Sequence, residues 1–187
     1  MRIRYNAPVT LTFSIAAAIV LVIDGLTGAA LTGSIFSVPP QMGFDRVIDY
    51  ARLFTHSVGH AGWDHLIGNL AFILLLGPIL EEKYGPAALA FMMIVTAGIT
   101  GILNILFLST GLLGASGIVF MMIMLVCFTR IRQGEIPLTF ILIVLLYLTR
   151  EFVAAFGNNN VSQFAHIIGG LCGSMFGFLR SKGRISG

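Results

Sequence analysis

Six apolar segments, separated by stretches that hold most of the charged residues, constrain this chain more than any other feature of its sequence. They lie at about 8–30, 63–80, 86–108, 116–130, 137–156 and 163–180. Charged residues make up 10% of the 187 residues, whereas a soluble domain has about a quarter. So few charges cannot cover six apolar segments with a polar surface. We therefore predict a single all-α polytopic membrane domain: a bundle of six transmembrane helices with a membrane-associated first loop at about 31–62.

The basic residues fall mainly on one side of this predicted topology. With the amino terminus inside, eight of the 11 Lys and Arg residues lie at the inner ends of the segments. Only Arg46, Arg52 and Arg150 fall outside. The positive-inside rule then places both termini in the cytoplasm. Because the net charge of +3 follows the topology and forms no patch, we expect membrane lipid around the chain and no nucleic-acid partner.

The fourth segment is too short to span a bilayer. It has about 14 residues, or about 21 Å of helix, where a full span needs about 20 residues. The backbone before it must dip into the bilayer, which is tolerated only beside protein or a water-filled cavity. Gly114-Ala115-Ser116-Gly117 opens this segment. The tetrad permits close helix packing, or a serine nucleophile beside backbone N–H groups that hold an oxyanion.

All four histidines lie towards the outer ends of the predicted helices. Ionisable groups inside membranes are costly, so each such histidine is a candidate for function. His65 and Asn69 are one helical turn apart and share a face. His166 precedes a glycine stripe that begins at Gly169 and favours tight helix packing. If that stripe packs on the fourth segment, His166 can reach Ser116 as a general base.

Other interpretations of the histidines remain open on this pattern. His56, His60 and His65 could hold a metal ion, although zinc sites favour tighter ligand sets. Hydrogen bonds that fasten the first loop are the expected role of His56. A small transporter with interior histidines that relay protons and a non-catalytic binder of membrane helices are the alternative functions. We expect no metal and no cofactor.

Taken together, the motifs resemble those of the rhomboid intramembrane serine proteases, in their compact six-helix bacterial form. The likeness covers nearly the whole chain. The matching motifs, in order, are Arg52-x3-His56-x3-His60-x4-His65-x3-Asn69, then Gly77 with Glu81 and Gly85, then Gly114-Ala115-Ser116-Gly117, and finally Ala165-His166-x-x-Gly169.

The resemblance implies a role for each matching residue. Ser116 would be the nucleophile and His166 the general base of a dyad without a carboxylate. His65 and Asn69, with the Ser116 backbone N–H, would form the oxyanion hole. The residues expected to support this site are Gly114, Gly117, Phe120, Gly169 and His60. Arg52 and Glu81 match structural anchors of the first loop and of the inner end of the second helix.

The chain departs from the family pattern at two places. Phe120 stands where bacterial members often have a tyrosine, so stacking on His166 is retained without the phenol hydroxyl. Tyr50-Ala51 precedes Arg52 where a tryptophan is common. Neither departure touches the dyad. The resemblance thus implies an endopeptidase of a bacterial inner membrane, open to the outer side. It would cut single-pass membrane proteins in or near their transmembrane segments, with lateral access between the second and fifth helices.

Overall fold

The computed structural model describes residues 4–28, 30–43, 45–108, 110–131 and 160–182, together with six separate positions between 138 and 149. Within these residues the regular elements are helices. They are α1 (Pro8–Thr27), α2 (Leu31–Ser34), α3 (Val47–Thr55), α4 (Trp63–Tyr84), α5 (Pro86–Phe107), α6 (Ser116–Ile131) and α7 (Asn160–Lys182). The predicted fifth transmembrane helix, about 137–156, lies outside the described residues apart from those six positions.

Three of these helices are long and apolar enough to cross a membrane. They are α1, α4 and α5, and shorter apolar stretches follow within α6 at Ser116–Cys127 and within α7 at Ala165–Leu179. Large apolar side chains such as Ile19, Ile67 and Phe91 project outward from the long helices. Exposed apolar side chains on spanning helices face lipid. The prediction of an all-α membrane protein is confirmed.

Two helix ends differ from the sequence prediction for identifiable reasons. The first helix ends at Thr27 because Gly28 takes a left-handed conformation with φ 61°, which commonly terminates a helix. The helix that begins at Trp63 continues past Leu80 to Tyr84, since the carboxylate of Glu81 is bound within the protein and does not need water.

Glu81 binds the start of α1. Its Oε1 accepts a hydrogen bond from the Val9 N–H at 2.9 Å. Its Oε2 accepts one from the Thr10 N–H at 3.1 Å and one from the Thr10 hydroxyl at 2.8 Å. These backbone N–H groups belong to the first turn of α1, where no helical carbonyl is available to them. A carboxylate there is also favoured by the helix dipole, so Glu81 joins the carboxyl end of α4 to the beginning of α1.

The helix that begins at Ser116 occupies the centre of the bundle. Val119, Met121, Met122 and Leu125 of α6 are all fully buried, and the helix packs against α4, α5 and α7. A helix that is apolar on every face is one buried among others. Ser116, at the start of this helix, is half-buried.

The connection from α1 to α4 contains two helices, α2 and α3. Arg52 donates hydrogen bonds to the carbonyl oxygen of Ser34 and forms a 2.9 Å ion pair with Asp49. The Thr55 hydroxyl donates to the carbonyl of Ile35 at 2.6 Å. Arg52 is 8% exposed and Asp49 is fully buried. These buried polar contacts fix α3 against the end of α2.

Candidate active site

The backbone before Ser116 forms a turn that requires glycine. Gly114 has φ +110°, a value that side chains other than hydrogen rarely permit. Its N–H donates a 2.9 Å hydrogen bond to the carbonyl of His56, and the carbonyl of Ala115 accepts the N–H of Val119 at 3.0 Å. Ser116 is thus the first residue of α6, and its N–H is among those that find no carbonyl acceptor within a helix.

The turn is also held by the first loop. Val38 and Leu112 exchange two backbone hydrogen bonds of 2.9 Å each, which form an isolated antiparallel bridge. Their buried side chains share a small apolar cluster with Ala165 of α7. The first loop, the turn before Ser116 and the start of α7 therefore meet at one point.

His65 and Asn69 lie on the first two turns of α4, beside this turn. A Cβ atom at Gly114 would lie 2.6 Å from Cε1 and 2.7 Å from Nε2 of His65, so the imidazole touches the Gly114 backbone. Asn69 is 4% exposed, and its Nδ2 donates a 3.0 Å hydrogen bond to the carbonyl of His65. The structure therefore brings His65 next to Gly114, which lies two residues before Ser116. Asn69 lies one helical turn further along α4.

The glycine stripe of α7 packs on α6, as the sequence predicts. A Cβ at Gly169 would overlap the carbonyl of Gly117, and one at Gly173 would lie 2.5 Å from the carbonyl oxygen of Met121. A Cβ at Gly117 would in turn lie 3.3 Å from the carbonyl oxygen of Ala165. Backbone meets backbone along this interface, and the closest approach is at the level of Ser116.

His166 stacks on Phe120. The two ring centroids are 4.5 Å apart and the ring planes differ by 13°, while His166 is 4% exposed. Phe120 lies four residues after Ser116, on the same face of α6 and about 6 Å further along its axis. The stacking that the sequence predicts at Phe120 is present, and it holds the imidazole against the face of α6 that begins with Ser116.

His56 and His60 are buried within the first loop. The His56 Nε2 donates to the carbonyl of Ala97 on α5 at 3.1 Å, which is a loop-fastening contact. The His60 Nδ1 donates to the carbonyl of Val58 at 3.0 Å, and its ring lies 5.0 Å from that of His65.

Burial makes both of these histidines neutral. Desolvation of the charged form lowers the pKa of His56 from 6.5 to about 4. Burial, followed by the nearby charge of His65, lowers the pKa of His60 to about 4. Because a neutral imidazole carries one N–H, each donates one hydrogen bond at pH 7 and bears no charge.

The metal alternative gains no support from the described residues. Among them, no three or more His, Cys, Asp or Glu side chains are arranged to hold an ion. His60 and His65 lie edge to face, and the Nε2 of His56 is directed to Ala97.

Sequence reasoning missed several residues that support the turn. The Asn104 Nδ2 donates to the carbonyl of Thr110 at 2.9 Å, and the Thr100 hydroxyl lies against Gly117. A signal for both existed, because they are polar residues in the otherwise apolar α5. No signal marked Val38 or Leu112, whose contribution comes from the backbone.

Comparison with known proteins gives two matches. The Rhomboid domain family matches residues 48–183 of the chain. Rhomboid protease GlpG of Haemophilus influenzae is 26% identical over 135 residues, which is 70% of this chain and 70% of that protein.

Proposed function

The chain belongs to the rhomboid family of intramembrane proteases, and from this premise we propose that it is a serine endopeptidase that uses Ser116 and His166 as a catalytic dyad. The protein is an integral membrane protein. The identity of the catalytic residues, the oxyanion hole and the orientation in the membrane are part of the proposal.

The stacking of His166 on Phe120 carries the proposal. It fixes a buried imidazole on the face of α6 that Ser116 occupies one turn earlier. The contact between Gly117 and Gly169 supports it, because it allows α6 and α7 to approach at the level of Ser116. A serine hydroxyl is a weak nucleophile unless a base accepts its proton. His166 is the base that this arrangement supplies.

The oxyanion hole would be formed by groups from two helices. The N–H groups of the first turn of α6 point out of the helix start, where the dipole favours negative charge. His65 contacts the Gly114 backbone beside them, and Asn69 lies one turn further along α4. Donors fixed before the reaction stabilise the charge that develops in the transition state.

The reaction is that of a serine protease with two catalytic side chains. The Ser116 Oγ attacks the scissile carbonyl while His166 accepts the hydroxyl proton. The tetrahedral oxyanion collapses, the C–N bond breaks, and His166 gives its proton to the leaving amine. Water then attacks the acyl-enzyme ester, again with His166 as base, and releases the new carboxylate and Ser116.

The substrates would be single-pass membrane proteins. A helix hides its backbone carbonyls in hydrogen bonds, so a substrate segment must unwind before its carbonyl can meet Ser116. We expect access from the lipid between α4 and the fifth helix, about 137–156, and a site open to the outer side of a bacterial inner membrane. Eight basic residues at the inner ends of the segments support cytoplasmic termini.

A serine-directed fluorophosphonate probe tests the nucleophile. Purified protein in detergent should be labelled, and Ser116→Ala should lose the label. Ser174→Ala is the matched control, because the Ser174 hydroxyl is bound to the carbonyl of Gly170 within α7. Labelling that persists in Ser116→Ala would exclude the proposed nucleophile.

Cleavage of a transmembrane reporter in vesicles tests the base and separates the alternatives. His166→Ala should abolish cleavage, and normal turnover would remove His166 from the mechanism. If the protein were a proton transporter, the Ser116→Ala variant would conduct protons as well as the unmodified protein does. A non-catalytic binder would retain the reporter uncut in the unmodified protein.

A further inference from the structure

A cavity of about 530 Å³ lies between α1, α3 and α5, beneath the first loop. Val9 and Phe13 line it from α1, Met93 from α5, Phe54 and Val58 from the first loop, and Ile118 from α6. None of its lining residues is charged. Phe54 and Ile94, at its edge, are 44% and 56% exposed. In a membrane protein, an apolar cavity with such an edge opens to the hydrocarbon of the bilayer.

The dimensions of the cavity match one leaflet of a membrane. It extends along α5 from Pro86 to Ala97, and eleven residues of helix measure about 16 Å. Half of the hydrocarbon core of a bilayer is about 15 Å. The length of the cavity therefore matches an extended acyl chain of one leaflet.

Basic and aromatic residues lie close in sequence to Pro8 and Pro86, two residues that line the cavity. Arg4 precedes Pro8 by four residues and Lys83 precedes Pro86 by three, and both side chains are exposed. The Tyr5 hydroxyl is hydrogen-bonded at 2.9 Å to that of Thr12, a residue of the cavity wall. The Lys83 Nζ lies 5.8 Å from the centre of the Tyr84 ring. Tyrosines with lysine and arginine are typical of the level of lipid headgroups.

We propose that this cavity binds one acyl chain of an anionic diacylphospholipid, whose phosphate lies between Arg4 and Lys83. The apolar walls contact the acyl chain, and their length matches a lipid of one leaflet. Arg4 and Lys83 favour a headgroup with net negative charge.

The bound chain would support the first loop from below. Its far end would reach Val58 and Ile118. Val58 accepts the hydrogen bond of His60, and the neighbouring His56 accepts the N–H of Gly114. Ile118 lies two residues after Ser116. The lipid site is therefore connected to the turn before Ser116 by direct contacts, and it does not depend on whether Ser116 is catalytic.

Native mass spectrometry in equimolar dioleoyl phosphatidylglycerol and dioleoyl phosphatidylcholine tests this proposal at low ionic strength. One phosphatidylglycerol per chain should be retained. Each basic side chain near an anionic surface strengthens binding by about fivefold, so the preference over phosphatidylcholine should be about 25-fold. The Arg4→Gln, Lys83→Gln double variant, changed only at exposed positions, should lose that preference. Equal retention of the two lipids by the unmodified protein would overturn the proposal.

Substitutions on α5 locate the site. Ala90 lines the cavity, and Ala90→Phe should reduce phosphatidylglycerol retention at least tenfold. Ala87→Phe is the matched control, because Ala87 is exposed on the same helix outside the cavity, and it should bind as the unmodified protein does. Undiminished retention by Ala90→Phe, or a second protein chain bound in place of lipid, would refute the assignment. If Ala90→Phe does not fold, an unchanged lipid preference in the Arg4→Gln, Lys83→Gln double variant would refute the assignment of the site.

Discussion

The contact between Gly169 and Gly117 makes a quantitative prediction about the substitution Gly169→Ala. The added Cβ would lie 2.8 Å from the carbonyl carbon of Gly117 and 2.9 Å from its Cα. Carbon atoms pack at about 3.5–4.0 Å, so the two backbones must separate by about 0.7 Å or more. Neither helix can yield locally, because the atoms in conflict are backbone atoms.

Two measurable effects follow from this separation. Overpacking costs about 1–3 kcal/mol in a close-packed interior, so thermal unfolding in detergent should occur at a lower temperature. His166 lies three residues before Gly169 and moves with α7 relative to Ser116. A displacement of about 1 Å can lower a catalysed rate by about 100-fold. We therefore expect reporter cleavage to fall by one to two orders of magnitude, with the protein still folded.

Gly170→Ala is the control for this experiment. Its Cβ would lie 3.8 Å from the Met124 Cγ and 3.9 Å from the Phe120 Cδ1, which are ordinary contacts. It makes the same chemical change at the next position of the same helix, and helices favour alanine over glycine by about 0.5–1 kcal/mol. Unfolding temperature and cleavage should be unchanged or slightly raised. If Gly169→Ala behaves like Gly170→Ala, backbone contact between α6 and α7 does not position His166.

Two further predictions concern the stability of the fold. Glu81→Gln keeps the size of the side chain but turns an amide donor towards the N–H and hydroxyl donors of Val9 and Thr10, so thermal unfolding should show that the protein loses about 1–3 kcal/mol of stability. Glu82→Gln, at the exposed neighbouring position, should lose no stability. Equal losses in the two variants would exclude the capping role of Glu81. His56 and His60 have pKa values of about 4 in the folded protein, below the ordinary 6.5, so only the unfolded chain takes up their protons as the pH falls from 6.5 to 4. Stability should therefore be complete above pH 6.5 and decline below it by up to about 1.4 kcal/mol per pH unit for each histidine. His60→Asn retains a hydrogen-bond donor for the Val58 carbonyl and should make the decline of the unfolding temperature with pH less steep. An unaltered decline would show that His60 does not contribute to it.

The sequence predicts those parts of the structure in which a side chain is itself the cause. The apolar segments identify α1, α4 and α5, since lipid exposure demands continuous apolar surface. Glycine spacing predicts the packing of α7 on α6, because only glycine permits backbone contact at Gly169. The family resemblance, with Phe120 one turn from Ser116, implies the stacking of Phe120 on His166.

The remaining features depend on backbone atoms that any residue could supply. The bridge between Val38 and Leu112 uses only N–H and carbonyl groups, so no residue type marks it. The carbonyl groups of Ala97 and Ser34 accept hydrogen bonds from His56 and Arg52, and no sequence pattern predicts these contacts either. These contacts are set by where the chain lies after folding.

The bridge between Val38 and Leu112 has a consequence for cooperativity. Together with the hydrogen bond from Gly114 to His56, it ties a loop that precedes α4 to the turn that precedes α6. Segments joined in this way open and close as one unit with one free energy. The turn before Ser116 is therefore ordered together with the first loop, and a disturbance in that loop reaches the serine without direct contact.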